Sequence, residues 1–184
     1  MKLDRLDNRA ASDPSGGHVS GRCLCGAVEL EIDFPAFWAW HDHSEASRRV
    51  HGAAYATYIG CWRKRTRVTK GRRSIARFED AKTESARSFC SRCGTPLLYE
   101  RKRWPHTVNI PRALFIGRTG REPRYHVAIE EFQDWAYTGA RLVPLKGYPG
   151  TVWERPKSRR LPSDVDDLEF RDRRVPSARA RTVR

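Results

Sequence analysis

Two cysteine pairs constrain this chain more than anything else in it. Phe89-Cys90-Ser91-Arg92-Cys93-Gly94 sets two cysteines three positions apart, ahead of a glycine. A turn at that spacing aims both thiolates at one point, and the glycine takes a backbone conformation that a Cβ obstructs. A structural zinc needs four ligands in a tetrahedron, so one pair is only half a site. Cys23-Leu24-Cys25-Gly26 supplies the other half. Cys25 and Cys90 are 65 positions apart, so a shared metal would join distant parts of the chain. The competing readings are buried small apolar residues, or disulfides. Burial alone does not predict tight, glycine-terminated pairs, and disulfide frameworks belong to short secreted chains. The spacing predicts one structural zinc on Cys23, Cys25, Cys90 and Cys93, with reduced, metal-free thiols as the alternative.

The rest of the composition bounds the setting. Met1 to Asp7 alternates charge and lacks the apolar core of a secretory signal, and no stretch is long and apolar enough to span a bilayer. The expectation is a cytoplasmic protein without membrane attachment, in a compartment where paired cysteines bind metal more often than they bridge. The 184 residues suffice for one domain with a sizeable core. Thirty-six basic against 22 acidic residues give a net charge of +14. Such a charge favours an anionic partner, nucleic acid among them; it also serves simply as a solvated surface.

Hydrophobic alternation predicts many short strands. Val28, Leu30 and Ile32 alternate with acids over 27–33. Further strands are expected at 53–59, 66–69, 74–78, 86–89, 96–99, 107–110 and 125–129. Phe37, Trp38 and Trp40 lead into the polar segment 41–49, which reads as a loop or short helix. The fold class is therefore mostly β. Residues 1–17 read as a flexible arm, 18–154 as the zinc domain, and 155–184 as a basic tail with ten basic and five acidic residues. Cys61 reads as a small buried apolar residue rather than a nucleophile, and His18 and His106 have no recognisable partners. The tryptophans are expected to fill core rather than line a pocket.

Gly21-Arg22-Cys23-Leu24-Cys25-Gly26-Ala27-Val28, Gly52-Ala53-Ala54-Tyr55 and Phe89-Cys90-Ser91-Arg92-Cys93-Gly94-Thr95-Pro96-Leu97 form a specific ensemble. His126, Val127, Ile129 and Trp135 follow it. Together they resemble the glutathione-dependent formaldehyde-activating enzyme family, which also includes centromere protein V. The resemblance covers roughly residues 18–150. It implies a β-tent-like arrangement of small antiparallel sheets stapled by zinc. It also implies carbon–sulfur lyase or aldehyde-activating chemistry on glutathione or a glutathione adduct.

The family's enzymes carry a second, catalytic zinc on a Cys-His-Cys-x-x-Cys motif before the Gly-Ala-aromatic strand. The matching segment here is Asp42-His43-Ser44-Glu45-Ala46-Ser47. The histidine is kept and all three cysteines are replaced. A serine hydroxyl is a poor neutral ligand where a thiolate is a soft charged one. Three readings follow. The site binds no metal; or it is rebuilt on His41, Asp42 and His43, with His51 as a further candidate; or a metal-free pocket keeps an acid–base role for His43, with Asp42 the other catalytic candidate. On an extended chain His41 and His43 share a face and Asp42 points away. Arg48 and Arg49 stand where the family also carries basic residues, available to a glutathione-like carboxylate or to solvent. Two functional classes are carried: family chemistry on a glutathione adduct, and a zinc-stabilised binding module for an anionic partner.

Overall fold

Val28, Leu30 and Ile32 are fully buried, and the acids between them turn outward. The alternation read from sequence is thus the β-strand β2 (Glu29–Asp33), one of twelve strands among the described residues. In the computed structural model those residues are 17–133, 135 and 141–155. The expected N-terminal arm and basic tail lie outside them except for Gly17 and Arg155.

β2 pairs antiparallel with β1 (His18–Arg22) on one side and β5 (Thr66–Lys70) on the other, giving a three-stranded sheet. The larger sheet is built from β3 (Trp38–Asp42), β4 (Ala56–Trp62), β6 (Ile75–Asp80), β7 (Ser85–Cys90), β8 (Pro96–Arg101), β9 (Thr107–Pro111), β10 (Tyr125–Val127), β11 (Leu142–Pro144) and β12 (Val152–Glu154). Its strand order is β11-β12-β10-β3-β4-β9-β8-β7-β6. Every pairing in it is antiparallel except β10 with β3, which is parallel. The α-helix among the described residues, α1 (Glu45–His51), is capped by Ser44 and closed by Gly52 in the left-handed conformation. The protein is mostly β with antiparallel sheets, as the alternation predicts. No helix among the described residues is long and apolar enough to cross a membrane.

Val28, Leu30 and Ile32 of the small sheet share one core with Ala39, Ile59, Cys61, Leu97, Val108 and Ile110. Strand alternation turns Trp40, Ala56, Tyr58 and Tyr99 into a second cluster. Cys61 is buried, and burial pushes its thiol up to about 12, so it is an inert core residue.

The sequence misplaces several boundaries. The strand expected at 53–59 starts at Ala56, because Gly52 and the residues after it turn the chain out of α1 first. The strand expected to run to 129 stops at Val127, because Ala128 is left-handed. Of the segment 41–49, expected to be a loop or short helix, residues 41 and 42 end β3 and Glu45 opens α1, so the short helix forms while the aromatic lead-in is itself a strand. Of the tryptophans, Trp40 is buried, but Trp104 and Trp135 are exposed and Trp38 borders on it, against the expectation of core. Trp38 packs on Trp40 and Tyr125, and the Arg103 guanidinium lies over the Trp104 ring. His18, read as lacking partners, meets Asp33 and Arg67 across the β1–β2–β5 sheet.

Candidate metal centre and the adjoining histidine cluster

The two knuckles are hairpin turns on different sheets. Cys23 and Cys25 lie in the turn from β1 to β2; Cys90 ends β7 and Cys93 sits in the turn to β8. Each turn is pinned by its own backbone: the Gly26 N–H donates to Cys23 O, and the Gly94 N–H donates to Cys90 O. Both glycines have φ near +70°, where a Cβ is strained. The four Sγ atoms all lie within 4.8 Å of one another. Cys23 and Cys25 are 3.6 Å apart, and Cys25 and Cys90 are 3.8 Å apart. A tetrahedral zinc with Zn–S bonds of about 2.3 Å holds its sulfurs about 3.8 Å apart. A disulfide needs about 2.05 Å, so these are free thiols at zinc spacing.

Local donors prepare the sulfurs for a cation. The Val28 N–H reaches Cys23 Sγ at 3.2 Å. Thr95, whose hydroxyl is 3.1 Å from Cys93 Sγ, lowers that thiol to about 6. At Cys25 the Ala27 N–H favours the thiolate, but the crowding sulfur of Cys93 and burial outweigh it and raise the group to about 11. Four thiols this close cannot all ionise unless a cation sits among them. The donor set fits zinc, which would act there as a structural staple between the two sheets.

The segment 42–47 is organised differently. Asp42 is 1% exposed; its Oδ1 accepts from the Ser44 N–H and its Oδ2 from the Ser47 hydroxyl. Ser44 Oγ caps α1 by accepting from the Ser47 N–H. Arg87 donates to Ser47 Oγ and to Tyr58 OH, with its guanidinium 4.1 Å from the Tyr99 ring centroid. His51 Nε2 lies 2.9 Å from the same Tyr58 hydroxyl. The hydroxyls and carboxylate that replace the three cysteines therefore hydrogen-bond one another, and a guanidinium already supplies the positive charge. These residues do not fit the family's second zinc.

On the opposite face of β3 stand the imidazoles. The parallel register sets His126 against His41, and their ring centroids are 4.7 Å apart. His43 Nε2 lies 2.8 Å from His126 Nδ1, and His126 Nε2 lies 3.3 Å from Glu154 Oε1. His41 Nδ1 lies 2.9 Å from Thr57 Oγ1, and the Pro123 carbonyl faces the same ring. His43 Nδ1 is buried without a hydrogen-bond partner among the described residues. Burial first, then the neighbouring His126, brings His41 and His43 each down to about 4. Burial lowers His126 too, against the pull of Glu154. All three rings are neutral at pH 7.

Of the residues singled out from sequence, the structure brings the four cysteines together. It brings His41 and His43 to one face and turns Asp42 to the other; His51 bonds Tyr58 rather than joining the histidines. Arg48 is held inward by the carbonyls of His43 and Glu131, while Arg49 pairs with Glu45 at the surface. Sequence reasoning missed Arg87, Thr57 and Glu154, and noted His126 only as part of a closing strand. Alternation places His126 on one face of its strand, but no local spacing reveals that this strand lies beside β3.

Two β-sheets that meet at a four-cysteine cluster able to hold a metal, with a histidine cluster on the larger sheet, define a small mostly β protein. The model of the family described as glutathione-dependent formaldehyde-activating enzyme matches residues 18–131. The chain belongs to that family. No curated protein matches it. A structural-genomics crystal structure of a Rhodobacter sphaeroides protein is similar, at 24% identity and a TM-score of 0.47, over 53% of this chain and 88% of that one.

Proposed function

We propose that this chain acts on a glutathione-like thiol–aldehyde adduct, in the carbon–sulfur lyase class of its family, with zinc on Cys23, Cys25, Cys90 and Cys93 as a structural element. The observation that carries the reading is the family match over residues 18–131, which spans both knuckles and the 41–47 segment. In the forward direction a thiol adds to an aldehyde. The C–S bond forms, the S–H bond breaks, and the carbonyl oxygen takes up a proton, so no oxidant or reductant is consumed. The chain must supply a group that accepts the thiol proton and returns one to the oxygen. A neutral imidazole can accept the thiol proton and its conjugate acid can return one to the oxygen. His41, half-buried, is the member of the cluster that reaches toward solvent, and His126 with His43 behind it passes the proton inward.

The reading as a binding module for nucleic acid or another anionic partner is less favoured. Much of the basic charge on the strands is matched by acids: Arg67 by Asp33 and Glu31, Lys70 by Glu29, and Arg77 by Glu79 and Glu100.

NMR exchange between free and glutathione-bound formaldehyde tests the proposal. The protein is expected to accelerate exchange above the uncatalysed rate, and His41→Gln to reduce that acceleration by about tenfold or more, since a positioned acid–base group contributes about 10²-fold or more. Exchange at the uncatalysed rate with the full chain would sink the lyase reading.

A further inference from the structure

We infer that His41, His126 and Glu154 form a second metal site, for a divalent transition cation such as zinc, displaced from the position where the family holds its catalytic metal. This rests on geometry alone, and because His41 and His126 are also the imidazoles of the proposed proton transfer, a bound metal would take over their role there.

Three strands build the site. β3 and β10 run parallel with His41 and His126 in register, and residues in register project to the same side of a sheet. β12 pairs with β10 so that Val152 faces His126, and Glu154 lies two residues further along on the same face. The three side chains each bring one ligand atom, all within 4.8 Å of one another, and His126 Nε2 and Glu154 Oε1 are already 3.3 Å apart. Around a tetrahedral zinc with bonds of about 2.1 Å, ligand atoms sit about 3.4 Å apart. Small side-chain adjustments would bring the third ligand to that spacing.

Outer partners orient each imidazole. Metal-binding histidines hold their second nitrogen in a hydrogen bond that fixes tautomer and ring direction. His41 Nδ1 has Thr57 Oγ1 at 2.9 Å, and the Pro123 carbonyl also faces the ring, so its direction is fixed. His126 Nδ1 has His43 Nε2 at 2.8 Å, which leaves its Nε2 facing Glu154. His43 is thus a positioning residue behind a ligand, not a ligand itself, and Asp42 is excluded because it lies on the other face in bonds to Ser44 and Ser47.

The donor set selects the ion. Two imidazoles and a carboxylate carry one negative charge and suit zinc or a neighbouring first-row divalent ion. Three protein ligands leave a coordination position open, in contrast to the closed four-thiolate staple.

The two sites are separable by spectroscopy. Full-length protein without a polyhistidine tag is dialysed against zinc, then against metal-free buffer, and metal per chain is measured by elemental analysis. About two zinc ions per chain are expected in the parent, and about one in both His41→Gln and Glu154→Gln. Cobalt added to protein carrying a single zinc in its cysteine site should give weak visible bands without thiolate-to-cobalt charge transfer, and the two variants should abolish them. The zinc that persists in each variant reports that the fold and the cysteine staple are intact. One zinc per chain in the parent at every zinc concentration tried would overturn the inference. So would two in both variants, which would place the second ion elsewhere.

Discussion

Asp42 and His43 are neighbours in sequence and face opposite ways, and that decides what each can do. Asp42 joins a network with Ser44, Ser47, Arg87 and Tyr58, in which hydroxyl, carboxylate and guanidinium satisfy one another. His43 is buried among rings, those of Tyr55, His126 and Phe132. Burial first, and then His126 and His41, hold His43 down to about 4, below the ordinary value of 6.5. Between these two pH values the unfolded chain binds more protons than the folded one. Stability is therefore full above about pH 6.5 and falls as the pH drops toward 4. Urea midpoints measured from pH 7 to pH 5.5, where the cysteine staple is least disturbed by acid, should decline in the parent. The decline should be shallower in His43→Gln; an unchanged slope would show that this ring does not titrate on unfolding. The opposition of Asp42 and His43 was legible in the sequence, because strand alternation is local. The partners of each were not, because Arg87 and His126 arrive from other strands.

Among the elements, β2 was readable from its alternation and β3 was not. β2 alternates cleanly between apolar residues and acids, and it forms where expected. β3 reads Trp-Ala-Trp-His-Asp because both its faces are covered, one by the main core and one by the aromatic cluster, so no polar alternation announces it. Turns carry their own constraint. Gly71, between β5 and β6, has φ +73°, and a Cβ there would lie 1.9 Å from Ala27 O in the neighbouring knuckle turn. Gly147 has φ +83° with nothing within 4 Å of the added atom. Gly147→Ala should cost only the left-handed conformation, about 1 kcal/mol. Gly71→Ala must also push two backbone segments apart and should cost at least about 3 kcal/mol. Equal losses in chemical denaturation would show that the close approach of Gly71 to Ala27 is not maintained.

For the molecule as a whole, the four cysteines form a second junction between its two sheets beside the core they share. The turn of the β1–β2 hairpin meets the turn of the β7–β8 hairpin there, and the Leu24 N–H reaches Thr95 Oγ1 across the same junction. The unfolded chain has no preformed site, so zinc bound at the junction adds its binding free energy to folding. Cys93→Ser should lower the melting temperature by more than about 10 °C, and a strong chelator should do the same to the parent. A variant that melts like the parent would remove the staple from the account.

The sequence by itself determined that these four cysteines could form one metal site. Ligand type, pair spacing and the following glycine are all local, and a tetrahedral metal needs two such pairs whatever lies between them. It also determined that the family's second zinc motif had lost its cysteines. Only the tertiary structure decided what stands in their place: a hydrogen-bond network on one face of β3, and on the other His41 beside His126 and Glu154. That company depends on the parallel register of β3 with β10 and on β12 closing against β10. A register between distant strands is set by the packing of the whole sheet, and no short stretch of the chain encodes it.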